Sequence, residues 1–235
     1  MKLTNKIIVI TGASDGIGKQ IALRLAKEKV KLILIARDEK KLTEVCVNAK
    51  KLGAIQCKSY VCDLQKTEQL KKTVQSIISD FKTIDILINN AGIWQKLNPI
   101  EKISAEIIDN VIQINLTALI HATKLFIPML KKRPEAAIIN ISSKSGVVAQ
   151  AGQSVYTASK YGVRGFTEVL REDLKDSKIR VAGIYQSGIN TKMFKKTGES
   201  FSTTNFTNPA DLADVVAYML SLPKKIWLHD VRVEY

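Results

Sequence analysis

Histidine is scarce in this chain of 235 residues. There are two, His121 and His229, and neither sits in a spacing that suggests a catalytic triad or a metal site, so hydrolytic and metal-dependent chemistry have little support. Cysteine is nearly as scarce. Cys46, Cys57 and Cys62 make an odd number without metal-ligand spacing, and reduced thiols in a cytoplasmic protein are the expectation. No uninterrupted apolar run reaches the roughly 18 residues that a spanning helix needs, so no membrane partner is expected. The stretch from Met1 to Lys6 runs straight into a strand-like Ile7-Ile8-Val9-Ile10, without the apolar stretch and cleavage site of a signal peptide. Acidic residues are outnumbered, 22 against 36 basic, for a formal net charge of +14. The lysines, however, are scattered as singles and as pairs such as Lys40-Lys41 and Lys71-Lys72, with Lys131-Lys132-Arg133 the largest cluster. Such pairs usually lie on solvated helix faces, and no basic stripe for nucleic acid emerges, so none is expected as a partner. The excess charge still favours an anionic ligand, and a phosphorylated cofactor is one.

What is present is alternation. Apolar strand-like runs at 7–11, 32–36, 55–61, 84–88, 137–141, 179–184 and 226–233 are separated by helical patterns at 17–29, 38–52, 67–81, 104–131 and 154–176. A last helix is opened by Asn208-Pro209-Ala210-Asp211, with proline near the first turn, where its missing N–H costs little. No repeat, low-complexity segment or linker interrupts the order, so residues 1–235 read as one domain. Short apolar strands between helices predict a parallel sheet covered on both faces, a doubly wound α/β fold of seven strands. Ligands of such a sheet bind beyond the carboxyl ends of its strands.

The residues that follow the strands are the informative ones. Thr11-Gly12-Ala13-Ser14-Asp15-Gly16-Ile17-Gly18 joins the first strand to the first helix. Glycine there permits a tight turn and a close backbone approach to a pyrophosphate, and the helix start offers free N–H groups to the anion. The second strand ends Ile35-Ala36-Arg37-Asp38. Ala36 cannot bind a ribose hydroxyl, whereas Arg37 can pair with a 2′-phosphate, which favours NADP(H) over NAD(H). If Asp38 rather than Arg37 faced the ribose, that preference would reverse.

Tyr156 and Lys160 stand four residues apart on one helix face. Phenol is a poor acid near neutrality, and a neighbouring ammonium favours its ionised form. Such a tyrosine can give a proton to a carbonyl oxygen or take one from an alcohol. The pair is also common on solvated helices. Ser142-Ser143 follows the fifth strand, where a hydroxyl can hydrogen-bond a substrate oxygen or simply cap the strand end. Asn115 lies inside an apolar helix and needs a partner, either helix backbone or a water linked to Lys160.

Taken in order, these motifs resemble the short-chain dehydrogenase/reductase family in its compact single-domain Rossmann branch, over nearly the whole chain. The Thr-Gly-x-x-x-Gly-x-Gly loop matches at Thr11 to Gly18, and Asp63 matches an adenine-contacting aspartate. Asn89-Asn90-Ala91-Gly92 matches the stretch after the fourth strand. Asn115, Ser143, Tyr156 and Lys160 match the family's catalytic four. The resemblance implies an NAD(P)-dependent oxidoreductase with Tyr156 as acid/base. Lys160 would lower its pKa and hold the nicotinamide ribose, Ser143 would position the substrate oxygen, and Asn115 would support a proton relay. It further implies cofactor contacts from Gly12, Ser14, Asp15, Gly16, Ile17, Gly18, Arg37, Asp63, Leu64, Asn90, Ala91, Gly92, Tyr156, Lys160, Ile189 and Thr191. No metal is implied, and family habit suggests a homodimer or homotetramer.

One stretch departs from the pattern. Where the family usually has Pro-Gly after the sixth strand, this chain has Gln186-Ser187, followed by a fitting Thr191. That change leaves a second reading open, a dinucleotide-binding sensor or scaffold with little turnover. The leading expectation is a carbonyl reductase or alcohol dehydrogenase acting on a small molecule. Trp94-Gln95, Val147 to Gln153, and Met193 to Phe206 are expected to line its pocket, with Phe194, Phe201 and Phe206 hinting at an apolar substrate.

Overall fold

The computed structural model describes residues 1–234. Its strands are β1 (Ile7–Thr11), β2 (Lys31–Ala36), β3 (Gln56–Val61), β4 (Ile86–Asn89), β5 (Ala136–Ile141), β6 (Ile179–Gln186) and β7 (Asp230–Val233). All pair in parallel in the order β3-β2-β1-β4-β5-β6-β7. The helices are α1 (Gly16–Ala26), α2 (Glu39–Lys51), α3 (Thr67–Phe81), α4 (Ala105–Ile112), α5 (Ala118–Leu130), α6 (Ser154–Asp173), α7 (Met193–Lys196) and α8 (Pro209–Ser221).

Alternation along each strand sorts side chains to the two faces of the sheet. Ile8 and Ile10 join Ile21 and Leu25 of α1, Leu42 of α2, and Leu212 and Val216 of α8 on one face. Val9, between them, joins Leu70 and Val74 of α3, Phe126 of α5 and Leu170 of α6 on the other. Each such fully buried side chain contributes about 2 kcal/mol of transfer free energy. This two-sided burial explains why the central strands read as unbroken apolar runs.

The 104–131 helix of the sequence reading is broken by one π turn, Gln113–Thr117. Its wider turn sets Asn115 apart from the regular helix, the usual place for a functional side chain in such a bulge. By length and composition, Ala105–Leu130 is also long and apolar enough to cross a membrane. It is not an uninterrupted apolar run, because Asn110, Gln113, Asn115 and His121 punctuate it. In the fold, Phe126, Met129 and Leu130 of this segment are buried under the sheet.

The expectation of three reduced thiols needs correction. Cys46 of α2 and Cys57 of β3 are paired as a disulfide with their Cα atoms 5.3 Å apart, and Cys62 is the free, buried thiol. The packing of α2 over β3 brings the two together, which spacing along the chain does not reveal. Thiol count therefore no longer argues for a reducing compartment.

A buried polar ladder docks α5 and α6 onto the sheet. Asn89 and Asn140 are register partners on β4 and β5. Asn89 Nδ2 donates to Thr123 Oγ1 of α5 at 2.8 Å and to Asn140 Oδ1 at 2.9 Å. Asn140 Nδ2 donates to Thr167 Oγ1 of α6 at 2.9 Å. Each threonine passes its own proton to a helix carbonyl, Leu119 or Val163. Replacing Asn140 with alanine strands a buried donor and acceptor, so Asn140→Ala should cost about 2 kcal/mol of stability in urea titrations.

Candidate active site

Strand order reverses between β1 and β4, because the chain winds outward to β3 before returning to β4. At that switch point, beyond the carboxyl ends of the strands, lies a cleft of about 790 Å³. It is lined at one end by the β1–α1 loop and at the other by Ser143, Tyr156 and Lys160.

The β1–α1 loop is shaped by two close approaches. Gly12 has φ of +66°, and a Cβ there would fall 2.8 Å from the Cα of Ala91. A Cβ on Gly18 would fall 2.4 Å from both the Gly12 carbonyl oxygen and Asn90 Nδ2. Asp15 caps α1 by accepting from Gly16 N, and its other oxygen pairs with Lys196 at 3.2 Å. Desolvation opposes ionisation of this carboxyl, but the Gly16 N–H and Lys196 outweigh it and hold its pKa below the ordinary value. Asn90 braces the loop from β4, giving Nδ2 to the Thr11 and Gly12 carbonyls, while Thr11 Oγ1 accepts from the amides of Asn90 and Ala91.

Beyond β2, Arg37 is exposed and lines the cleft. Asp38 is engaged elsewhere. Its Oδ1 accepts from the Lys41 amide as the cap of α2, and its Oδ2 pairs with Lys41 Nζ at 3.1 Å. The Lys41 amide, then its ammonium, holds the Asp38 pKa below the usual carboxylate value. Lys41 also lines the cleft, a second cation that the sequence reading missed. Its position one turn into α2, facing back toward Asp38, is the signal that could have found it. Asp63 and Leu64 after β3, and Ile189 and Thr191 after β6, line the same cleft.

At the far end, α6 presents Tyr156 and Lys160, with Lys160 Nζ 5.7 Å from the centroid of the phenol ring. Both are buried. Burial lowers the Lys160 pKa to about 8, and no carboxylate offsets it. Burial likewise pushes the Tyr156 phenol up to about 12, against a smaller opposite effect from the Ser143 hydroxyl. The sequence expectation is a phenol acidified by the ammonium; in the structure desolvation dominates and the shift is upward. Ser143 Oγ accepts from Ser145 N at 3.1 Å, which fixes the hydroxyl beside the phenol. Ser142 plays another part, donating to the Lys160 carbonyl.

Asn115 and Gly18 stand behind the wall of the cleft and do not line it. Asn115 is fully buried. Its Oδ1 accepts from Ile93 N at 2.8 Å, and its Nδ2 donates to the Ile93 carbonyl at 3.0 Å and to Ser159 Oγ at 3.1 Å. It therefore holds the loop after β4 against α6. Gln95, expected in the pocket, instead caps α6: its Oε1 accepts from Tyr156 N at 2.9 Å and its Nε2 donates to the Gly152 carbonyl. Gln186 lines the cleft, and its strand continues where the family has Pro-Gly. Gln186 pairs with Val233, and Ser187 N donates to the Val233 carbonyl at 2.8 Å. Among the described residues, no group of three or more His, Cys, Asp or Glu could hold a metal ion.

A doubly wound parallel sheet with a glycine-lined cleft at its switch point defines a dinucleotide-binding type of domain. The model of the short chain dehydrogenase family matches residues 6–201, and the chain belongs to this family of oxidoreductases. It is 31% identical over 229 residues to the 3-oxoacyl-(acyl-carrier-protein) reductase of Thermotoga maritima, covering 94% of this chain and 92% of that one. A short chain dehydrogenase of Shigella flexneri complexed with NADP superimposes with a TM-score of 0.91 at 26% identity, covering 99% of this chain and 98% of the other. An NAD+-bound xylitol dehydrogenase superimposes with a TM-score of 0.88, also at 26% identity, covering 99% of each chain.

The buried Lys160 ammonium donates to the Ile141 carbonyl at 3.4 Å but has no carboxylate partner, and this bears on stability. Its folded pKa, about 8, lies below the ordinary 10.5, so folding at pH 7 bears the desolvation penalty in full, and stability from this group rises between about pH 8 and 10.5. Lys160→Met should raise Tm at pH 7 by at least about 3 °C and remove that rise, both read by thermal melts across pH.

Proposed function

We propose that the chain reduces a carbonyl, or oxidises the matching secondary alcohol, with NADP(H) as the preferred cofactor. The observation that carries this reading is the convergence of Ser143, Tyr156 and Lys160 on the end of the cleft opposite the glycine loop. The cleft fits a dinucleotide: at Gly12 and Gly18 a Cβ would crowd the loop, and its floor is backbone within reach of a pyrophosphate. Gly12, Ser14, Gly16 and Ile17 would hold the phosphates, Asp63 and Leu64 the adenine, and Asn90, Ala91, Gly92, Ile189 and Thr191 the nicotinamide half. When bound, the reduced cofactor supplies the hydride that the carbonyl carbon takes up.

The protein's own part is the proton. As the carbonyl π electrons move to oxygen, Tyr156 gives its proton to that oxygen, and Ser143 donates a hydrogen bond to it. Near neutrality the buried phenol carries its proton and releases it only as charge develops on the carbonyl oxygen. Lys160 stabilises the phenolate that remains, through the field of its ammonium, until the phenol recovers a proton from solvent. Asn115 fixes the Ile93 loop that closes this end of the site.

Two features support NADP(H). Arg37 stands at the mouth with Lys41 beside it, and both oxygens of Asp38 are occupied by Lys41. An anionic 2′-phosphate would find the exposed Arg37 guanidinium there, with the Asp38 carboxylate already paired to Lys41.

The test is NADPH and NADH oxidation against a panel of ketones and aldehydes. Tyr156→Phe should lower kcat by about 10²- to 10⁴-fold while NADPH still binds. Arg37→Asp should lower kcat/KM for NADPH by at least about tenfold and shift preference toward NADH. Tight NADPH binding with no turnover of any carbonyl would instead favour the sensor reading left open by Gln186-Ser187.

A further inference from the structure

The outer half of the cleft is a wall of rings that begins at the reacting group. Trp94 meets Tyr156 edge-on, with centroids 4.6 Å apart and planes inclined by 62°. Phe194 meets Trp94 at 5.1 Å, and Phe201 and Phe206 meet Phe194 at 5.2 and 5.6 Å. All four of these outer rings line the cleft, with Leu97 and Met193 beside them.

The wall is assembled from two distant stretches of chain. Trp94 and Leu97 follow β4, whereas the three phenylalanines lie between β6 and α8. Glu199 joins the two: its Oε1 accepts from Trp94 Nε1 at 3.1 Å and from the Leu97 amide at 2.7 Å. The indole N–H, the one polar group of these rings, is thus satisfied by a carboxylate that does not itself line the cleft. Opposite, the Gln153 carboxamide is taken up by Ser145 and Gln150. Lys192 and Lys196 also line the cleft, but on the ring wall itself a polar or anionic substituent would leave water and meet ring faces, whereas an apolar ring would meet partners at ring-contact distances.

We infer, on the carbonyl reductase reading, that the substrate is a ketone or secondary alcohol carrying an uncharged, ring-containing apolar arm seated against Trp94 and Phe194. The carbonyl lies at Tyr156 and Ser143, and the arm points outward along the rings. Phe194 is the centre of the wall, since it touches Trp94, Phe201 and Phe206.

The experiment compares benzylacetone with butanone, which is the same methyl ketone without the phenyl arm, and with acetoacetate, which carries a charge. The wild-type kcat/KM for benzylacetone should exceed that for each of the others by at least about tenfold, mainly through KM. Phe194→Ala should lower the benzylacetone-to-butanone ratio by about tenfold while NADPH binding persists. If Phe194→Ala no longer binds NADPH, Phe201→Ala, at a ring 38% exposed, should lower the same ratio. Equal or better turnover of butanone or acetoacetate, or a ratio unmoved by the variants, overturns the inference and leaves the reductase reading standing. Consumption of NADPH with none of these nor with any other carbonyl overturns both.

Discussion

The reversal of strand order beside β1 is the constraint from which the site follows. Connections leave β1 toward β2 on one side, and the chain returns to β4 on the other, so the loops after these two strands part and a crevice opens between them. The approach of the two strands is so close at its floor that Gly12 nearly touches the Ala91 backbone. Thr11 and Gly12 are stitched to Asn90 and Ala91 across that line by four hydrogen bonds. Everything that faces the cleft is hung on strands whose positions this junction sets.

Within that frame the chemistry rests on burial acting on two side chains in opposite directions. Removing water raises the pKa of Tyr156 and lowers that of Lys160. The two values move apart, to about 12 and about 8, so the buried phenol holds its proton more tightly than the neighbouring ammonium does. An ammonium buried without a carboxylate partner is costly to fold, a cost that the role proposed for Lys160 would account for.

Much of this was legible in the sequence, for reasons that can be named. Apolar runs such as Ile7-Ile8-Val9-Ile10 mark strands covered on both faces, and the glycine loop after the first of them marks the phosphate end. Tyr156 and Lys160 share a helix face by spacing alone. Other features depend on which distant elements meet. The Cys46–Cys57 pairing, the Asn89–Asn140–Thr167 ladder and the Glu199 bridge to Trp94 all join residues far apart in sequence or on different elements. Gln95 read as a pocket residue because it follows Trp94, but its side chain turns to the free N–H groups at the start of α6. The direction of the Tyr156 shift was also beyond the sequence, since it depends on how completely the phenol is buried.

The most direct measurement of the central claim follows the hydrogen itself. NADPH carrying deuterium at both nicotinamide C4 positions is incubated with the protein and a ketone it consumes, and the alcohol is analysed by mass spectrometry. The account predicts one deuterium on the carbinol carbon and none on its oxygen after exchange in ordinary water, the O–H proton having come through Tyr156. An alcohol formed without deuterium on carbon, or NADPH left unconsumed with every carbonyl offered, would contradict it.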